Sequence, residues 1–236
     1  MRDFDLTLDI ETIPTTDKAV QEEIKNSIAP PGNYKSEEAI EKWWSTKGVT
    51  AAEDKVRKTA LDGSLGEVIT IAWAFGDNPV NGIQRTHKDS EGIFLTRAFS
   101  MIADDMATHV KNYELDRRLR IIGHNILKFD IPFLWKRCVI NEVFAPSILS
   151  LCASPRQNEF LFDTQVEWMG SNRVDNLISC DKLCRIFKID SPKTDKIDGS
   201  KVYDHWVQKK YDDILAYCKR DVEAERAVAE RILNYA

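Results

Sequence analysis

The sequence predicts an α/β fold, a mixed β-sheet covered by helices on both faces. Three observations carry this. Short alternating or apolar runs that read as strands recur between longer stretches with helical spacing. The 236 residues, 43% of them apolar, suffice for one large α/β domain with a full core. Ten glycines and eight prolines are too few for a disordered or collagen-like chain. Repeats and low-complexity tracts are absent from the sequence.

Residues 4–11 alternate strictly. Phe4, Leu6, Leu8 and Ile10 share one face and Asp5, Thr7, Asp9 and Glu11 the other, which predicts a strand ended by Pro14. We place this strand at the sheet centre with its carboxylates aimed outward. Residues 15–62 are polar and helical in pattern, broken by Pro30-Pro31-Gly32 and Gly48. They read as a mainly helical insertion packed on a single domain spanning 1–236. Val68–Phe75 is a buried strand between Gly66 and the turn Gly76-Asp77-Asn78-Pro79, with a short edge strand near Ile83–Thr86 beside it. Residues 91–111 carry apolar side chains at helical spacing. Arg120–Gly123 is a short strand, and a helix follows from about Asp130 to Ile140, with Pro132 in its first turn. Phe160–Asp163 is another strand. Asp175 is expected to cap a helix carrying Leu177, Ile178, Leu183 and Ile186. After a polar loop at 190–200, helices are expected at about 201–209 and 211–234.

Composition excludes several functions. Thirty-three basic against thirty-eight acidic residues give a net charge of −5, unlike a protein that grips nucleic acid by a basic surface. An enzyme whose positive charge comes from metal ions remains compatible. Five cysteines, without a C-x-x-C pair, suggest reduced buried thiols. The acidic N-terminus is unlike a signal or transit peptide, and no apolar run is long enough to cross a bilayer. A cytoplasmic protein that does not contact membranes is the expectation.

Three groups of residues carry chemistry. Asp9 and Glu11, two apart on a strand, must point the same way, a few ångströms from each other. Two carboxylates so close repel, and a divalent cation between them removes the conflict. All-oxygen donors suit Mg²⁺ or Mn²⁺ better than zinc. The alternative is a polar strand face open to solvent. The second group is Gly123-His124-Asn125-Ile126-Leu127-Lys128-Phe129-Asp130, at a strand end where α/β sites assemble. There Asp130 is either a helix cap or an outward carboxylate. The third is Tyr217-Cys218-Lys219-Arg220-Asp221, in which Tyr217 and Asp221 share a helical face beside an apolar stripe of Ile214, Leu215, Cys218 and Val222.

LDIET, N-x-x-x-F-D and Y-x-x-x-D, in this order, resemble the three exonuclease motifs of the DEDD superfamily. The tyrosine resembles its DEDDy branch, that of the family-B DNA polymerase proofreading domains. The chain looks most like stand-alone 3′–5′ exonucleases similar to those domains. Residues 56–62 and 198–202 are also typical of that group, and the resemblance spans residues 5–235. It implies a ribonuclease-H-like fold, a two-metal site with Mg²⁺ or Mn²⁺, and stepwise removal of nucleotides from 3′ ends of DNA. Carried over by position, Asp9, Glu11, Asp130 and Asp221 would be metal ligands, with Asp9 bridging the ions. Tyr217 would position the attacking water, since its ordinary pKa near 10 makes it a poor base. All five positions match the pattern.

Other candidates are weighed against plainer roles. Asn125 either bonds the terminal nucleotide or braces its loop. His124 reads as structural. Phe129 could stack on a base but fits the core. Ile13 could line the nucleotide pocket. Of Trp43 and Trp44, adjacent on a helix, one should be packed. Asp163 reads as a turn cap. Lys128, Lys193, Lys196 and Lys201 could steer the strand, or be solvated lysines. Cys180 and Cys184 lack further ligands for zinc. Two competing functions stand beside a DNA exonuclease: an exoribonuclease, and a non-catalytic nucleic-acid or protein-partner module.

Overall fold

The computed structural model describes residues 5–109, 119–152, 160–170, 177–191 and 197–235. The first strand, β1 (Asp5–Ile13), is longer at its far end than the alternation predicts. The segment 15–62 follows with α1 (Lys18–Asn26), α2 (Glu37–Trp43) and α3 (Val49–Arg57), and one π-helical turn, Trp44–Gly48, joins the last two. Then come β2 (Glu67–Phe75), β3 (Asn81–Gln84), α4 (Glu91–His109), β4 (Arg120–Gly123) and α5 (Asp130–Ile140). Next are α6 (Ser147–Cys152), β5 (Leu161–Asp163), α7 (Thr164–Met169) and α8 (Cys180–Phe187). The chain closes on α9 (Val202–Val207) and the long α10 (Tyr211–Leu233).

The strands form one sheet in the order β3-β2-β1-β4-β5, so β1 is central as expected. β1 runs antiparallel to β2 and parallel to β4; β2–β3 is antiparallel and β4–β5 parallel. This is the mixed α/β arrangement of ribonuclease-H-like folds. Leu6, Leu8 and Ile10 face one side, where they pack with Ile71, Trp73, Phe94, Leu95, Ile131 and Leu134 of β2, α4 and α5. α10 lies on the other side, across β1, β2, β3 and β4. Ala72 and Ala74 of β2 are small, and Cys218 and Val222 of α10 pack closely on them.

The polar face of β1 therefore lies under a helix, not in solvent. Asp5 and Thr7 are fully buried there. Asp5 is satisfied by Arg120, whose Nε and Nη2 donate to its two oxygens at 3.0 and 2.8 Å and lock β1 to β4. Near the far end of β1 the register slips: Glu11 pairs with Thr70 but Thr12 with Val68, leaving Ile69 as the extra residue of a bulge. The bulge lies beside Glu11, where it can re-aim that side chain.

This helical segment is tied to the rest of the fold at several points. Thr12 donates its hydroxyl to the Ala60 carbonyl at 2.6 Å, and the Thr15 N–H donates to the Thr59 hydroxyl at 2.9 Å. Arg57 pairs with Asp204 at 2.7 Å and lies over the Tyr203 ring, joining α3 to α9. Trp43 is buried and Trp44 half-exposed, as their adjacency requires.

Some boundaries differ from expectation. The edge strand sits two residues early, because Thr70–Trp73 of β2 pair with Asn81–Gln84. The helices α6 and α7 are six residues each, too short to show a period. α8 starts at Cys180 with Ser179 as its cap, its hydroxyl accepting the Lys182 N–H, so Leu177 and Ile178 precede the helix. Asp175, Lys193 and Lys196 lie outside the described residues. No helix among the described residues is long and apolar enough to cross a membrane.

Candidate active site

Three distant segments meet under α10. β1 supplies Asp9 and Glu11, both half-buried, from its polar face. α10 supplies Tyr217, Cys218, Asp221 and Glu225, because its apolar stripe of Ile214, Cys218 and Val222 turns that face toward the sheet. The loop after β4 supplies Asp130.

That loop is held from several sides. At Gly123 an added Cβ would stand 2.7 Å from the Ile126 side chain and 3.1 Å from the Leu8 carbonyl, so only glycine allows the close approach of β4 to β1. Asn125 takes a left-handed backbone, φ 60°, which asparagine tolerates better than most residues. Asp163, at the end of β5, accepts the N–H groups of Asn125 at 2.9 Å and Leu127 at 3.1 Å. It also caps α7 by accepting from Gln165 at 3.0 Å, so it is a cap that additionally fixes the loop. Both ring nitrogens of His124 are engaged by protein, Nδ1 with the Thr164 hydroxyl at 2.9 Å and Nε2 with the Ile178 carbonyl at 2.8 Å. Burial pushes its pKa down, in keeping with a structural histidine.

Asp130 is the first residue of α5, not its cap; Phe129 holds the cap position without a side-chain bond. The Asp130 carboxylate instead accepts the Ile10 N–H at 3.3 Å, reaching across to β1. Burial raises its pKa to about 7, with Asp163 and Asp221 adding to the rise and backbone N–H groups opposing it.

Asp9 and Glu11 behave alike. Burial, then the charges of Glu225, Asp221, Asp130 and Glu11, hold the Asp9 carboxyl well above the usual range. Burial, then Asp221 and Asp130, do the same to Glu11. The influences on these two acids come from burial and other carboxylates, whereas Asp5 on the same face has Arg120. Cys218 donates its thiol to Asp9 Oδ2 at 3.2 Å, and burial followed by the nearby acids pushes its pKa up. Tyr217 is buried; burial, then the charges of Asp221, Glu11 and Asp9, raise the pKa of its phenol, so it stays protonated. Gly199 comes close to that hydroxyl, a Cβ there lying 4.0 Å away.

Asp9, Glu11 and Cys218 each bring one donor atom to within 4.8 Å of one another, a group that could hold a metal ion. A cation also fits the electrostatics, because it would relieve the repulsion that raises these carboxyls.

The other candidate residues lie elsewhere. Ile13 is fully buried in a cluster with Ile69, Val202, Trp206, Ile214 and Tyr217, beneath the tyrosine and closed to solvent. Phe129 packs against the main core and the Phe133 ring, at 5.5 Å between centroids. Asn125 is half-buried at the loop. Lys128 is exposed, and Lys201 pairs with Asp198 at 3.2 Å. Glu225 was not singled out from the sequence, although its spacing of four from Asp221 and eight from Tyr217 puts it on their face.

No family model matches the chain, and no curated protein matches it. Among solved structures, it is similar to the family B DNA polymerase from the hyperthermophilic archaeon Pyrobaculum calidifontis. The TM-score is 0.54 at 18% identity, over 97% of this chain. The chain spans 24% of that polymerase. The likeness is one of fold.

Proposed function

We propose that this chain is a single-domain, metal-dependent 3′–5′ exonuclease of the DEDDy type. It would act on single-stranded or frayed 3′ ends of DNA and release nucleoside monophosphates. The observation that supports the reading is one acidic cluster, in which Asp9 and Glu11 offer donor atoms to a common point and the charges of Asp130 and Asp221 act on them and on Tyr217. The fold shared with a DNA polymerase supports nucleic acid as the substrate class.

Asp9, Glu11, Asp130 and Asp221 would hold two Mg²⁺ or Mn²⁺ ions. Such ions supply the positive charge a phosphodiester needs and acidify water near neutral pH. The protein's own groups do the rest. The Ile10 N–H and the Asp163-braced loop fix Asp130. The Cys218 thiol fixes Asp9. Tyr217 keeps its proton and works as a hydrogen-bond donor that orients water or phosphate, not as a base. The acidic net charge is then no obstacle, because the ions carry the attraction for the strand.

The test is a 3′-labelled DNA oligomer incubated with Mn²⁺. Mononucleotides should appear, and EDTA or Asp9→Asn should abolish them. Turnover that survives either change contradicts the reading. A matched RNA oligomer in the same assay separates DNA from RNA preference.

A further inference from the structure

Glu225 lies in the middle of a long helix, where a glutamate is ordinarily solvated. It is 4% exposed. The backbone N–H of His124, in the loop after β4, favours the ionised form of its carboxyl. Its Oε2 is sealed from solvent and has no hydrogen-bond partner among the described residues. A buried carboxylate oxygen without a partner is costly, and proteins relieve it with a proton, a bridging water or a cation. The charged groups acting on Glu225 are acids, Asp130, Asp221 and Asp163. In turn Glu225 is among the charges that act on Asp9.

We propose that Glu225 is a fifth acidic residue of the metal site, its unpartnered Oε2 serving the same cations as Asp130 and Asp221. This rests on the reading of the cluster as a divalent-cation centre. The competing role is that of a permanently protonated spacer under the helix. The two differ in what happens when the charge is removed and the shape is kept. Glutamine at 225 still offers an oxygen to the His124 N–H but has no negative charge for a cation.

The experiment is equilibrium binding of Mn²⁺ to the metal-free full chain, followed by the electron paramagnetic resonance signal of free Mn²⁺. Wild type, Glu225→Gln and Asp9→Asn are compared, with thermal unfolding in EDTA as a second readout. The expected result is binding by wild type, a roughly tenfold or greater loss of affinity in Glu225→Gln, and an unfolding temperature in EDTA at or above that of wild type. Wild-type Mn²⁺ affinity in Glu225→Gln overturns the proposal in favour of the spacer. So does a variant that fails to fold in EDTA, since removing one of several repelling charges should not destabilise the metal-free protein. Should wild type itself bind no Mn²⁺, the metal-centre reading fails along with the proposal. If wild type binds and only Asp9→Asn loses the ion, the role of Glu225 alone is refuted.

Discussion

Asparagine in place of Asp130 is expected to stabilise the metal-free protein above neutral pH while weakening its hold on cations. The Asp130 carboxyl is 3% exposed, and burial places its native pKa at about 7 against an ordinary value of 3.8. Between those two values the folded chain binds a proton that the unfolded chain has released. Stability therefore falls as pH rises through this window and levels off above it. Each pH unit removes about 1.4 kcal/mol, so the penalty reaches about 4 kcal/mol by about pH 8 and is about 2 kcal/mol near pH 5. Asparagine cannot ionise, and its oxygen still accepts the Ile10 N–H. The variant should gain about 4 kcal/mol over wild type at about pH 8 and almost nothing near pH 4. Urea unfolding in EDTA at several pH values measures the gap. A gap that does not change with pH, or a variant less stable than wild type in mild alkali, refutes the electrostatic argument.

Three further outcomes are expected. Thr7→Val removes a fully buried hydroxyl that has no partner among the described residues, and should raise stability by about 1 kcal/mol in thermal unfolding. Asp163→Ala frees the N–H groups of Asn125, Leu127 and Gln165 and should cost about 2–3 kcal/mol in urea unfolding, with weaker Mn²⁺ binding as the Asp130 loop loosens. Tyr217→Phe keeps the ring packed and loses only the hydroxyl. It should lower kcat about 100-fold in the oligomer assay and leave Mn²⁺ affinity unchanged.

The sheet was legible in the sequence because its central strand alternates cleanly and its second strand is a continuous apolar run. The positions of Asp9, Glu11, Asp130, Tyr217 and Asp221 were legible through motif spacing. What spacing cannot express is depth. The alternation of β1 reads as one dry and one wet face, yet its polar face is covered by α10, a helix some 200 residues away in sequence, which buries Asp5 and Thr7 and half-buries Asp9 and Glu11. Burial of that face makes the acids electrostatically costly, and no residue near them in sequence signals it. Glu225 was missed for the same reason, since a glutamate in a helix with many charged residues looks solvated until the packing is known. Cys218 was read as part of an apolar stripe; it is that, and its thiol also bonds Asp9. Ile13 followed the first motif and suggested a pocket wall, but the bulge after Glu11 and the packing of Ile69 place it inside the core.

On the proposed function, Asp9, Glu11, Asp130 and Asp221 share divalent cations. Anomalous scattering from crystals soaked in Mn²⁺ tests it most directly. The account predicts two adjacent manganese peaks among these four carboxylates, about 3.5–4 Å apart. Crystals that show no peak there under saturating Mn²⁺, with the four side chains ordered, would contradict it.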